Sequence, residues 1–182
     1  MTVDWTKVRH FIHRRTFFCT AAVLEPAGIR LYPIGSLRLD RKGEGTYLEI
    51  FAQPIRPGCA ISFLAVEINP WAWFKAMLTG RFEHPPALRL RGSAGLRRPS
   101  TAAEKEHFLR RVGWLGKTRG GRALWSHPDY VRQVSFQEAR PVRLGKMTHR
   151  VREWFSLPLE NPAQNKEGPP LGEPSAGSGA LE

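Results

Sequence analysis

A chain of 182 residues with 28 basic and 16 acidic side chains carries a formal charge of +12 and has room for one domain with an appended tail. A 41% hydrophobic share with six tryptophans excludes a disordered chain, and 17 glycines with 15 prolines interrupt it too often for a long helical bundle. Two cysteines, Cys19 and Cys59, exclude a disulfide scaffold or a four-cysteine zinc site, and no stretch approaches the ~20 apolar residues that span a bilayer, so a soluble, cytoplasmic protein without a membrane partner is expected.

Residues 1–15 read as an N-terminal helix. Asp4 can cap it, and Trp5, Val8, Phe11 and Ile12 recur at helical spacing. The run from Thr16 to Leu24 reads as a strand that turns at Glu25-Pro26-Ala27-Gly28 into a second one, Ile29 to Leu39. That second strand is interrupted at Pro33-Ile34-Gly35-Ser36. Proline cannot donate to a ladder, and glycine lets a neighbour approach the backbone, so a bulge or a bound ligand belongs there.

A turn from Asp40 to Gly45 precedes a third strand, Tyr47 to Phe51. After Gln53-Pro54-Ile55-Arg56-Pro57-Gly58 comes an almost wholly apolar fourth strand, Ala60 to Ile68, expected to be buried on both faces. Asn69-Pro70 opens a helix that Gly80 ends; its apolar residues, Trp71, Trp73, Phe74, Met77 and Leu78, point all round and call for cover on more than one side.

Leu88 to Ser93 alternates as a fifth strand. Thr101 and Glu104 form a capping box for a helix to about Val112, with Phe108, Leu109 and Val112 inward and Glu106 paired to Arg110. A loop runs from Gly113 to Pro128, and a sixth strand around Val131 to Phe136 leads on through Pro141. The expected fold is mainly β, a six-stranded antiparallel barrel with short helices over its ends, spanning residues 16–150. Residues 151–182 form a tail that is acidic and rich in Pro and Gly, with too little apolar surface to order itself from about Leu159.

The tail holds Arg152 and Lys166 against five glutamates, so residues 1–150 carry +15. Such a body attracts phosphates, and nucleic acid is one possible partner, though no zinc-finger spacing, aromatic RNA-binding strand or helix-turn-helix pattern accompanies the charge. Arginine also suits a small phosphorylated ligand, whose oxygens its planar fork can bind in pairs. Gly116-Lys117-Thr118 is not a phosphate-binding P-loop, because the glycine that motif needs five residues earlier is Arg111 and a helix, not a strand, precedes it. The six histidines are scattered without metal-ligand spacing, so no metal site is expected. Neither cysteine has a base that sequence can place beside it, and catalytic residues stay unassigned. Chemistry carried by a cofactor, or none at all, remains.

Tyr32-Pro33-Ile34-Gly35-Ser36-Leu37, Trp71-Ala72-Trp73-Phe74 with Leu78-Thr79-Gly80-Arg81-Phe82, and Pro85 to Gly92 together resemble the pyridoxamine 5'-phosphate oxidase-like family of FMN-binding split barrels. The likeness runs from about Thr16 to Met147. It implies a six-stranded split barrel that forms a homodimer, with FMN in clefts between protomers. It also implies that Pro33, Ile34, Gly35 and Ser36 lie along the flavin ring and that Gln53 and Arg56 reach the phosphate. Where family members carry further basic and polar groups, this chain has Pro57-Gly58-Cys59, which leaves Arg38 or Arg91 as other phosphate donors; related barrels use haem or a deazaflavin instead. The resulting expectation is a flavin-dependent oxidoreductase with a small organic substrate. A non-catalytic module for flavin, haem or a phosphorylated metabolite is the alternative, and a nucleic-acid-binding protein the second.

Overall fold

The computed structural model describes residues 2–25, 28–50, 53–125 and 128–156. Helix α1, Trp5–Arg14, starts where the Asp4 carboxylate accepts from the Lys7 amide, 3.1 Å, and buries Val8, Phe11 and Ile12. Seven strands follow: β1 Cys19–Glu25, β2 Gly28–Ile34, β3 Arg38–Leu39, β4 Glu44–Glu49, β5 Ala60–Val66, β6 Ala87–Pro99 and β7 Tyr130–Pro141. They form one antiparallel sheet in the order β2-β1-β5-β6-β7-β4-β3.

The count is seven and not six because the expected second strand divides. Its first half pairs with β1, its second with β4, and residues 35–37 carry the chain from one edge of the sheet to the other. The ladder itself does not close, in contrast to the expected closed barrel; the covalent chain joins its two edges. At the crossing Ser36 takes the place of a ladder residue, since its hydroxyl accepts from the Leu48 amide at 2.8 Å and donates to the Leu48 carbonyl at 3.4 Å.

The curled sheet encloses a core of Ala21, Val23, Tyr47, Phe63, Leu88, Leu90 and Phe136, plugged at one end by α1. Its β6–β7 pair kinks where the register shifts between Arg91 and Gly92. A Cβ at Gly92 would lie 2.0 Å from the Ser135 carbonyl oxygen, so this close passage admits only glycine.

The expectation that the fourth strand is buried on both faces is corrected. In β5 Ile61, Phe63 and Ala65 point inward, while Leu64 and Val66 stay exposed because no layer covers the outside. Helix α2, Pro70–Thr79, has the expected Asn69 cap and ends at Gly80 with φ 67°, a left-handed value that suits glycine. It is not covered on several sides. Only Ala76 is buried, and Trp71, Phe74, Met77 and Leu78 face solvent.

Helix α3, Ala102–Val112, carries the expected capping box, and Phe108 and Val112 pack on Leu48 and Val131 of the sheet. Leu109, expected inward, is exposed. The expected loop from Gly113 contains a 3-10 turn, Gly113–Lys117, and a short helix α4, Arg119–Trp125. Residues 151–156 lie against the body, where Val151 and Phe155 are buried and the Asp4 amide donates to the Phe155 carbonyl at 2.7 Å. The acidic stretch expected to be disordered lies outside the described residues, as do Pro26, Ala27 and Phe51. No helix among the described residues is long and apolar enough to cross a membrane.

Candidate functional site

The four residues of the interrupted strand meet different surroundings. Pro33 is exposed on the edge strand β2, opposite Thr20. Ile34 turns into the core opposite Cys19. Gly35 is buried beneath Phe18, whose ring a Cβ would approach to 3.0 Å. Phe18 is itself 51% exposed, so it covers the glycine as a movable side chain. Ser36 is buried against β4 through its two bonds to Leu48.

Gln53 and Arg56 follow β4, beyond the same C-terminal end at which Leu48 meets Ser36. The Gln53 side chain is buried and accepts from the Tyr47 hydroxyl at 3.0 Å, while its carbonyl accepts from Arg132. Arg56 is exposed and makes no ion pair among the described residues. Of the two reserve arginines, Arg91 is drawn toward Glu138, 3.9 Å, whereas Arg38 makes no ion pair among the described residues. The interrupted strand and the Gln53 to Arg56 turn therefore both meet the C-terminal half of β4, Ser36 through Leu48 and Gln53 through Tyr47.

Around Arg38 the structure assembles a group that sequence reasoning missed. A cleft of about 580 Å³ is lined by Arg9 and His13 of α1, Arg38 of β3, the carboxylates Asp40 and Glu44, Thr46 of β4, and Gln133 and Ser135 of β7. A smaller hollow shares Arg38 and Thr46 and extends to Ser36, His107 and Arg111 beneath α3. Three arginines thus converge on two histidines. Burial, followed by the charges of Arg9, Arg111 and Arg38, lowers the His13 pKa to about 4. Its neutral ring accepts from the Leu39 amide at 3.1 Å. Burial, then Arg38, Arg110 and Arg111, also lowers His107. Glu104, the acid in the hollow, is committed to Arg98 by bonds of 2.7 and 2.9 Å.

The sequence does contain a signal for this cluster. Arg9 with His13 and His107 with Arg111 each stand four residues apart on a helix, hence on one face. What a sequence cannot give is that both faces meet at Arg38.

This arrangement is a ready anion site. Asp40 and Glu44 also line the cleft, but Asp40 accepts from the Lys42 and Glu44 amides and Glu44 from the Ser135 hydroxyl, and among the described residues Arg9, Arg38 and Arg111 form no ion pair; the histidines are held neutral, and the size lies within the range of small-molecule pockets. Nucleophilic catalysis by Cys19 has no support, since burial pushes its thiol up to about 12. Among the described residues no group of three or more His, Cys, Asp or Glu side chains is placed to hold a metal ion.

FMN fits the flanking residues in these terms. Arg56 offers an exposed cation to a phosphate, Pro33 lies open on a sheet edge, and the strand backbone at Gly35 is accessible once the Phe18 ring swings aside.

No family model matches the sequence, and no curated protein matches it. In its chain course the protein is similar to several solved structures. One is an FMN-binding protein from Syntrophomonas wolfei, at 12% identity and a TM-score of 0.48, covering 78% of this chain and 88% of that one. Another, from Clostridium acetobutylicum, is a protein related to general stress protein 26 of the pyridoxinephosphate oxidase family, at 13% identity and a TM-score of 0.44, covering 76% and 87%. A third is HutZ, the haem storage protein of Vibrio cholerae, at 11% identity and a TM-score of 0.41, covering 77% and 95%. Likeness at this level concerns the fold and carries no argument about ligand or reaction.

Proposed function

We propose that this chain is an FMN-binding flavoprotein of the split-barrel type, an oxidoreductase for a small anionic organic substrate, and that it works as a homodimer. The observation that carries the reading is the convergence of Arg9, Arg38 and Arg111 on neutral His13 and His107, directly beside the strand whose sequence resembles the flavin-binding family.

Pro33, Ile34, Gly35 and Ser36 would border the ring, and Arg56 with Gln53 would meet the phosphate. Bound there, FMN supplies two-electron hydride chemistry that no side-chain set in this chain offers. The protein's own contribution is orientation and electrostatics. Arg38 lies within reach of both the crossing strand and the cleft, so an anionic substrate paired with it is held beside the cofactor strand. Its charge is favoured further by Arg9 and Arg111, which face the same His13.

Support for the homodimer comes from the outer face of β2, β1 and β5. Leu24 and Ile29 are paired there with Leu31 next along β2, Leu64 and Val66 follow on β5 across Thr20 and Ala22 of β1, and all five are exposed, Leu31 at 65%. An apolar sheet face of this kind is costly in water, and a second copy related by a two-fold axis covers it with its own equivalent.

The test is an absorption spectrum of the purified protein followed by titration with FMN. Flavin bands, or saturable uptake with quenched flavin fluorescence, are expected. A colourless protein that takes up no FMN overturns the cofactor assignment. Turnover with a reduced nicotinamide then separates an oxidoreductase from a protein that only stores its ligand.

A further inference from the structure

We propose that Arg132 is a positioning residue that fixes the turn carrying Gln53 and Arg56, and thereby the affinity for the cofactor phosphate; the inference rests on the FMN reading. Arg132 lies on β7 inside the barrel at 2% exposure, an unusual place for an arginine. Its Nε bonds the carboxylate of Glu49, which is wholly buried on β4. Its Nη1 donates to the Gly95 carbonyl at 3.3 Å, and its Nη2 to the Gln53 carbonyl at 3.4 Å. One guanidinium therefore ties β7, β4, β6 and the first residue of the turn.

The far end of the turn is tied independently. The Gly58 amide donates to the Ala94 carbonyl at 2.7 Å, and the Ala94 amide to the Cys59 carbonyl at 2.9 Å. Arg56 projects from the span between these two anchors. A single cation beside Glu49 would meet the need for charge compensation. The planar fork does more, because it reaches two carbonyls besides the carboxylate, which a lysine cannot do with one nitrogen. Tyr47 holds the Gln53 side chain from the other side, and burial followed by the charge of Glu49 keeps that phenol protonated as the donor.

The molecule contains its own control. Arg97 bonds the same Glu49 carboxylate at 2.7 Å and stacks over Tyr130, but among the described residues it makes no bond to the turn. A merely structural role for the charge cluster would make Arg97 and Arg132 equivalent; a positioning role makes them differ.

The experiment compares the full chain with R132K and R97K. It measures FMN affinity by fluorescence quenching and amide hydrogen exchange over residues 53–58. R132K keeps the charge beside Glu49 and loses the reach to Gln53; it is expected to weaken FMN by about tenfold and to speed exchange in the turn. R97K is expected to leave both within about twofold. Equal effects of the two variants, or unchanged exchange in R132K, overturn the proposal. If the unmodified chain takes up no FMN, the cofactor reading fails on its own, and the exchange comparison still decides whether Arg132 holds the turn. If R132K does not fold by circular dichroism, the double variant R132Q/E49Q removes the reach to the Gln53 carbonyl together with the buried carboxylate that would otherwise be left unpaired. Faster exchange in it supports the proposal, and unchanged exchange overturns it.

Discussion

Ser36 and His13 show how single side chains stand in for backbone at the crossing between β2 and β3. The Ser36 hydroxyl satisfies both the amide and the carbonyl of Leu48 in a buried setting. Ser36→Ala leaves both unpaired, and a loss of about 1–3 kcal/mol in urea unfolding is expected. His13 performs a similar service for the Leu39 amide, and only its neutral ring can accept that bond. Its pKa falls from 6.5 in the unfolded chain to about 4 in the folded one, so the unfolded state binds more protons between those values. The stability it contributes is complete above pH ~6.5 and is lost progressively as the pH falls toward ~4. His13→Gln offers an acceptor that does not titrate. Melting temperature plotted against pH should therefore fall less steeply for that variant than for the parent chain across this window.

Helix α3 is the element most completely legible in the sequence, because its start is decided locally. Thr101 and Glu104 exchange bonds with each other's backbone, and Arg98 adds a two-pronged grip on the Glu104 carboxylate, which holds its pKa down at about 2. Thr101→Ala should cost about 1 kcal/mol, measurable as a lower denaturation midpoint with an unchanged slope. The divided second strand was only half legible. Proline and glycine at positions 33 and 35 announce an interruption, but which neighbour each half takes is decided by distant residues of β1 and β4. The stretch after α3 was not legible at all. Its glycines read as loop, yet Gly121 allows α4 to pass so near Leu115 that a Cβ would lie 1.9 Å from the Leu115 carbonyl oxygen. The candidate site divides along the same line. Residues 33–36 stood out through their own backbone chemistry, whereas the meeting of Arg9, Arg38 and Arg111 depends on two helices docking beside one short strand.

At the scale of the whole molecule, the apolar outer sheet face and the placement of residues 151–156 determine which changes the assembly tolerates. Leu31→Glu puts a charge on the exposed apolar face, on its edge strand, while touching nothing in the core. Light scattering should report a folded monomer for this variant and a dimer for the parent chain. Trp73 is a poorer probe of pairing, since its indole donates to the Glu67 carbonyl at 2.9 Å and packs edge-on against Phe82 within its own chain. Truncation after Ser156 keeps the buried Val151 and Phe155, so the shortened chain should melt with the full one.

The crossing at residues 35–37 also makes the molecule a bracelet with one clasp. All three residues are buried, which shields the link from a protease while the fold is intact. Cut there, β2 and β3, already the two edges of the ladder, would no longer be tied to each other by the chain. Such edges recruit strands from other molecules. A chain opened at this link, for example through a protease site inserted after Gly35, should pass from a discrete species to an open-ended polymer upon cleavage. The short buried link thus keeps the two sheet edges of one molecule with each other and away from those of its neighbours.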